Sequence, residues 1–256
     1  LRVTEAIGSD VRVCPGADRP MFRDAVYAPH VHGEDGLLGI PLPAPQKKAS
    51  FYKAWDFIYE EAVAQKGELE IIAVGPLTNL GIALGKYNDL AGLIKRIVIM
   101  GGAAQGGNVT PCAEFNIYVD PEAASMVFRS GIHLCVCGLD VTLKAYLTAQ
   151  EIKDIKALGT PQAELFAGVT QENCEKRFCP AGAPLHDPAA VLFAADSSYF
   201  TVQRCWMGVE TKGTITLGKT VTDCWSDAQK EPNVDLVLDV DRERFAAKVK
   251  ELMGKY

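Results

Sequence analysis

No apolar run in this chain reaches the roughly 18 residues that a membrane-crossing helix needs, and no surplus of Lys and Arg marks it for a phosphate backbone. The formal net charge is −6 and the pI about 5.3, so neither nucleic acid nor membrane is an expected partner. A neutral small molecule or a cation suits such a surface better. CxxC pairs are missing as well: the eight cysteines stand scattered at 14, 112, 135, 137, 174, 179, 205 and 224. That scatter offers no zinc-finger spacing and reads as structural thiols in a reducing, cytoplasmic setting. The first residues show neither a basic leader before an apolar stretch nor an Arg-rich transit pattern. No internal repeat or low-complexity tract is evident. There is no initiating Met either, and the start at Leu1 falls in mid-pattern, which reads as upstream chain being absent.

What is present is ordinary globular usage, with 48% hydrophobic and 23% charged residues over 256 positions, enough for one domain spanning 1–256. Short Val/Ile-rich runs predict buried parallel strands at Val11 to Cys14, Leu69 to Val74, Arg96 to Met100 and His133 to Cys137. Cys135 and Cys137 alternate within the last of these as buried thiols, and His133 reads as structural. Between the runs, helical spacing predicts helices over Ser50 to Gln65, Thr78 to Tyr87 and Pro121 to Phe128, the last with Asp120 as N-cap and Pro121 at the first helical position. After Thr148 the pattern turns helical to about Arg177, and a further helix follows His186-Asp187-Pro188. Strands are then expected near Phe200 to Glu210, Thr214 to Leu217, Thr220 to Trp225 and Val234 to Val240, with a terminal helix from about Arg242. The alternation implies an α/β fold with a mostly parallel open sheet and helices on both faces.

In such sheets ligands bind beyond the carboxyl ends of the strands. Three strand ends stand out: Val74-Gly75-Pro76-Leu77-Thr78-Asn79, the stretch from Met100-Gly101-Gly102 to Asn116, and Gly138-Leu139-Asp140. Their glycines either let a ligand approach the backbone or serve as plain turn residues. Asn108, Glu114 and Asn116 offer donors and acceptors to vicinal hydroxyls, as a sugar would require, and local capping accounts for them equally well. Asp187 can cap a helix with Pro188 at its first position, which leaves His186 for proton donation or metal binding. His30-Val31-His32 has a metal-like spacing without a convincing third ligand, so a loop role or a substrate-facing His32 is favoured.

Together these elements resemble the inosine-uridine-preferring nucleoside hydrolase family. The matching residues are His32-Gly33-x-x-Gly36-Leu37, the Val74 to Asn79 run, Met100-Gly101-Gly102 with Gly107-Asn108, Glu114-Phe115-Asn116 into Asp120-Pro121-Glu122-Ala123, Gly138 to Thr142, and His186-Asp187-Pro188. The resemblance implies cleavage of the N-glycosidic bond of a small-molecule ribonucleoside by water, through an oxocarbenium-like transition state. It also implies a Ca²⁺ ion that grips the ribose diol in an all-oxygen site. By position, Val74 would give a backbone carbonyl and Asp187 a carboxylate to the metal. Met100, Asn108, Glu114, Asn116 and His186 would bind substrate, with His186, Asn116 and His32 as catalytic candidates. A homodimer or homotetramer would follow from the family's habit.

The sequence departs from the family in two places. Some members carry a Tyr where Asn173 stands, leaving Arg177 and Phe178 as nearby candidates for leaving-group assistance. The family also opens on a strand bearing a DxDxGxDD cluster that supplies most calcium-binding carboxylates. No such cluster occurs here, so the resemblance implies that a strand-helix-strand portion is absent and that these residues alone form an incomplete, poorly active site. Two rivals are a non-catalytic ribose- or nucleoside-binding protein and a thiol-dependent hydrolase.

Overall fold

The Val/Ile-rich runs pair side by side. In the computed structural model, which describes residues 1–176, 181–225 and 230–255, the strands are β1 (Leu69–Ala73), β2 (Ile94–Met100), β3 (Leu134–Cys137), β4 (Tyr146–Leu147), β5 (Ala183–Pro184), β6 (Phe200–Val209), β7 (Thr220–Asp223) and β8 (Val234–Val240). Six of them form one sheet in the order β1-β2-β3-β8-β6-β7. The first four run parallel, while β6 and β7 are antiparallel additions. The helices are α1 (Arg2–Ala6), α2 (Pro29–His32), α3 (Ala54–Gln65), α4 (Thr78–Lys86), α5 (Phe115–Val119) and α6 (Pro121–Phe128). They continue with α7 (Leu139–Thr142), α8 (Ala149–Lys156), α9 (Pro161–Lys176), α10 (His186–Ala195) and α11 (Arg242–Met253).

Strand side chains alternate between faces, and the two cores divide by that rule. Ile97, Ile99, Leu134 and Val136 point into one core, shared with residues of α4 and α6 such as Leu80, Ala83, Ala124 and Val127. Val98, Met100, Cys135 and Cys137 point the other way, onto Leu139 and Val141 of α7 and Ala190 and Phe193 of α10. Both faces are therefore covered, as the alternation of elements implied. A third cluster joins α8, α9, α10 and α11 around the fully buried Phe245.

Two expected strands are not strands. Val11 to Cys14 is irregular, and Val11 is 61% exposed. A backbone bond from Ser50 N–H to the Val13 carbonyl is present, but Pro15 and Gly16 follow at once and no sheet neighbour forms. Thr214 to Leu217 is a turn inside the β6–β7 hairpin, closed by Lys219 N–H on the Thr216 carbonyl and by Gly218 N–H on the Glu210 carbonyl.

Candidate active site

The parallel register aligns the strand ends. Ala73 lies opposite Ile99 and Met100 opposite Cys137, so Val74, one residue past β1, stands beside Met100. The buried Met100 faces α10. That helix runs against the strands: its far end accepts Arg96 Nη2 on the Ala194 carbonyl at 2.9 Å, near the amino end of β2. Its beginning lies at the carboxyl end, where His186 Nδ1 meets Thr142 Oγ1 at 2.7 Å just after β3. Val74, Met100, His186 and Asp187 thus share one end of the sheet.

The loop after β2 is tied into the same place. Gly102 N–H donates to Glu114 Oε2 at 2.9 Å and Ile117 N–H to the same oxygen at 3.3 Å, which makes Glu114 the N-cap of α5. Asn116 Nδ2 donates to the Met100 carbonyl at 3.0 Å. Asn108 is exposed, and its Oδ1 accepts from Phe115 N–H at 2.9 Å. Capping therefore accounts for one oxygen each of Glu114 and Asn108. Glu114 is buried, and desolvation raises its pKa against the pull of three backbone amides, with the charge of Asp187 adding to the rise. That electrostatic reach places the two carboxyls in one neighbourhood. Glu114→Ala is expected to cost about 2–3 kcal/mol, because it strands buried amides. Glu114→Gln, which keeps an acceptor, should cost much less. Thermal unfolding of the two variants measures the difference.

Asp187 departs from its expected capping role. Helix α10 starts at His186 with Leu185 as a cap residue that makes no side-chain cap bond, so Asp187 sits inside the first turn. Among the described residues it forms no ion pair. Asp187 is exposed, yet enough protein surrounds the carboxyl for desolvation to push its pKa up to about 6. A carboxylate whose charge the surrounding protein disfavours, still open to solvent and with no ion-pair partner among the described residues, is a donor suited to a cation.

His32 belongs to α2, where residues two apart face different sides, so His30 and His32 do not converge on one ion. His32 instead borders a cavity of about 650 Å³ with Tyr27, Pro76, Asn79 and Phe115, beside the ends of β1 and β2. Arg177, Phe178 and Cys179 lie outside the described residues, as do the side chains of Asn173 and Cys174. The thiol-dependent rival loses its buried candidates: burial pushes Cys135 up to about 11 and raises Cys137 further still, so these thiols stay protonated and unreactive.

Sequence reasoning gave no role to the β6–β7 hairpin, yet it clasps the site loop. Lys219 Nζ donates to the Ala103 and Ala104 carbonyls at 2.9 Å each, and burial lowers its pKa. Thr220 Oγ1 accepts from Ala103 N–H and donates to the Ala103 carbonyl. Asp140 accepts from the Ala104 and Gln105 amides on the other side. No local pattern announces the contacts of Lys219 and Thr220, which span more than 110 residues.

The profile described as inosine-uridine preferring nucleoside hydrolase matches residues 1–247. The chain belongs to that family. As a member of the nucleoside hydrolase family it is an N-ribosyl hydrolase, and it shares its fold with solved members while spanning about four fifths of its relatives' length. It is 38% identical over 252 residues to a pyrimidine-specific ribonucleoside hydrolase RihA of Shewanella sp. strain ANA-3, covering 97% of this chain and 79% of the relative. Among solved structures, a purine-preferring ribonucleoside hydrolase from Gardnerella vaginalis superposes with a TM-score of 0.91 at 30% identity, covering 100% of this chain and 85% of that one. The plant nucleoside hydrolase PpNRh1 gives 0.89, also at 30%, with 99% and 84% covered.

Proposed function

We propose that this nucleoside hydrolase cleaves ribonucleosides with the help of Ca²⁺, and that the uncompensated carboxylate of Asp187 is one of the metal's ligands. Calcium takes six to eight oxygen donors. Asp187 and the Val74 carbonyl are hard oxygen donors at one end of the sheet, so they fit such an ion in kind and supply part of its shell. When bound, the ion would polarise the ribose hydroxyls and a water. The protein's own residues do the rest. Asn116, bonded to the carbonyl of the buried Met100, and Asn108, on the same loop, would offer amides to a sugar ring lying on Met100. Glu114 and Asp187 set negative charge near the ring, which favours the positive charge that develops as the bond from C1' to nitrogen breaks. His186, fixed through Nδ1 by Thr142, and His32, on the cavity wall, would assist the departing base.

The relative named pyrimidine-specific is the more identical of those compared, and so uridine and cytidine are the first substrates to try. Incubation of the full-length protein with uridine, cytidine, inosine, adenosine and guanosine should release ribose, and a calcium chelator should suppress the release. Ribose release unchanged by chelator would remove the metal from the mechanism. Nucleoside binding with no ribose formed would leave a binding protein. No helix among the described residues is long and apolar enough to cross a membrane, and we further propose a cytoplasmic homodimer or homotetramer as the working form.

A further inference from the structure

We propose a second metal site, for a zinc-like divalent ion, on His133, Cys135 and Asp235 at the amino-terminal end of the sheet. Cys135 and Asp235 are lateral partners on β3 and β8, so their side chains leave the same face of the sheet. His133, two residues before Cys135, joins that face because strand side chains repeat every second residue. The donors form a triangle. His133 Nε2 is 2.6 Å from Asp235 Oδ2 and 3.9 Å from Cys135 Sγ, and all three ligand atoms lie within 4.8 Å of one another.

Zinc bonds of about 2.0–2.3 Å to nitrogen, oxygen and sulfur can be drawn from a point above this triangle once the imidazole and carboxylate part by somewhat less than about 1 Å. A fourth position stays open to water. A thiolate, an imidazole and a carboxylate together suit zinc and its neighbours better than calcium or magnesium, so this set differs in chemistry from the oxygen donors at the other end of the sheet. Outer support is in place. Asp235 Oδ1 accepts from Arg204 Nη1 at 3.1 Å, which fixes the carboxylate and leaves Oδ2 for the ion, as outer partners of metal ligands do. The Arg96 guanidinium lies close enough to Cys135 to favour its thiolate. His133 is exposed beside a cavity of about 380 Å³ that Arg204 and Asn233 also line, which gives the ion an entry path. Without the ion, burial keeps the Cys135 thiol protonated. Binding forms a metal–sulfur bond, releases that proton to solvent and transfers no electron.

The test adds zinc to the metal-free protein by calorimetry, with calcium in excess throughout, and cobalt(II) in a parallel titration followed by absorption. One equivalent of zinc should bind, and cobalt should give a thiolate-to-metal charge-transfer band that Cys135→Ala removes. Arg204→Gln, a change at an exposed outer partner, should weaken zinc by about 10- to 100-fold. Absence of zinc uptake overturns the assignment, and so does equal affinity with an unchanged cobalt spectrum in the wild type and both variants.

Discussion

Asp187→Asn should lower nucleoside hydrolysis by roughly 10²- to 10³-fold, the usual cost of one well-placed polar group in a preorganised site, while raising the melting temperature of the calcium-free protein. The two effects share one cause. Desolvation lifts the folded-state pKa of Asp187 from 3.8 to about 6, so the protonated form is the one the fold prefers. Stability linked to this group is fully present below the unfolded value near 3.8 and is lost as pH rises through about 6. At pH 7 the metal-free protein therefore carries an ionised carboxylate that its surroundings disfavour, and a neutral amide relieves the cost. The nominal figure from the shift is about 3 kcal/mol, but the residue is partly exposed and solvent screens it, so about 1 kcal/mol is the fair expectation. In a protein of this size that corresponds to a rise of about 2–4 °C. Calcium should reverse the ranking: at a hundredfold excess over its Kd it stabilises wild type by about 2.7 kcal/mol and leaves the variant unmoved. Thermal scans with calcium and with chelator, beside initial rates on uridine, measure all of this. Wild-type rates in the variant, or an equal calcium response in both proteins, would defeat the ligand assignment.

How this site could be foreseen differs from residue to residue. The Val/Ile runs of β2 and β3 are buried on both faces, and continuous apolarity of that kind is visible in sequence. Pro121 after Asp120 marked α6 because capping is a local interaction within one turn, and Asp120 Oδ1 does accept from Ala123 N–H. The same local logic misplaced Asp187. Asp187-Pro188 reads as cap followed by first helical residue, but α10 begins two residues earlier, at His186, and His186 is set by Thr142, 44 residues away. The Lys219 and Thr220 clasp was invisible for the same reason. Val11 to Cys14 failed differently: an apolar run forms a strand only if a neighbour offers a ladder of hydrogen bonds, and among the described residues it gains one backbone bond, from Ser50 N–H to the Val13 carbonyl, and no ladder. Local chemistry is legible in a chain read alone, whereas the pairing of distant segments is legible only where a known family pattern supplies it.

Asp120 joins both kinds of information, and its loss should be the most damaging single change outside the reacting groups. The side chain is fully buried. Its Oδ1 caps α6, and its Oδ2 accepts from Thr78 Oγ1 at 2.7 Å and from Met21 N–H at 2.9 Å. One carboxylate thus fastens three segments: the start of α4, the start of α6 and the irregular stretch near residue 21. Arg23, two residues on, reinforces the last tie through Glu122 with two bonds of 2.9 Å from Nε. The stretch so held supplies much of the cavity wall around His32. Asp120→Ala leaves three donors without their acceptor in a dry place, at a cost of roughly 3–5 kcal/mol, or a fall of about 6–20 °C in melting temperature for a protein of this size. Asp120→Asn should separate the two functions. With its oxygen turned to Ala123 the amide preserves the helix cap, but its NH₂ then faces the Met21 N–H, donor against donor. The wall should loosen while α6 survives, so KM for the nucleoside should rise well before helicity is lost. A KM that stays at the wild-type value in Asp120→Asn would show that the tether at Met21 does not shape the pocket.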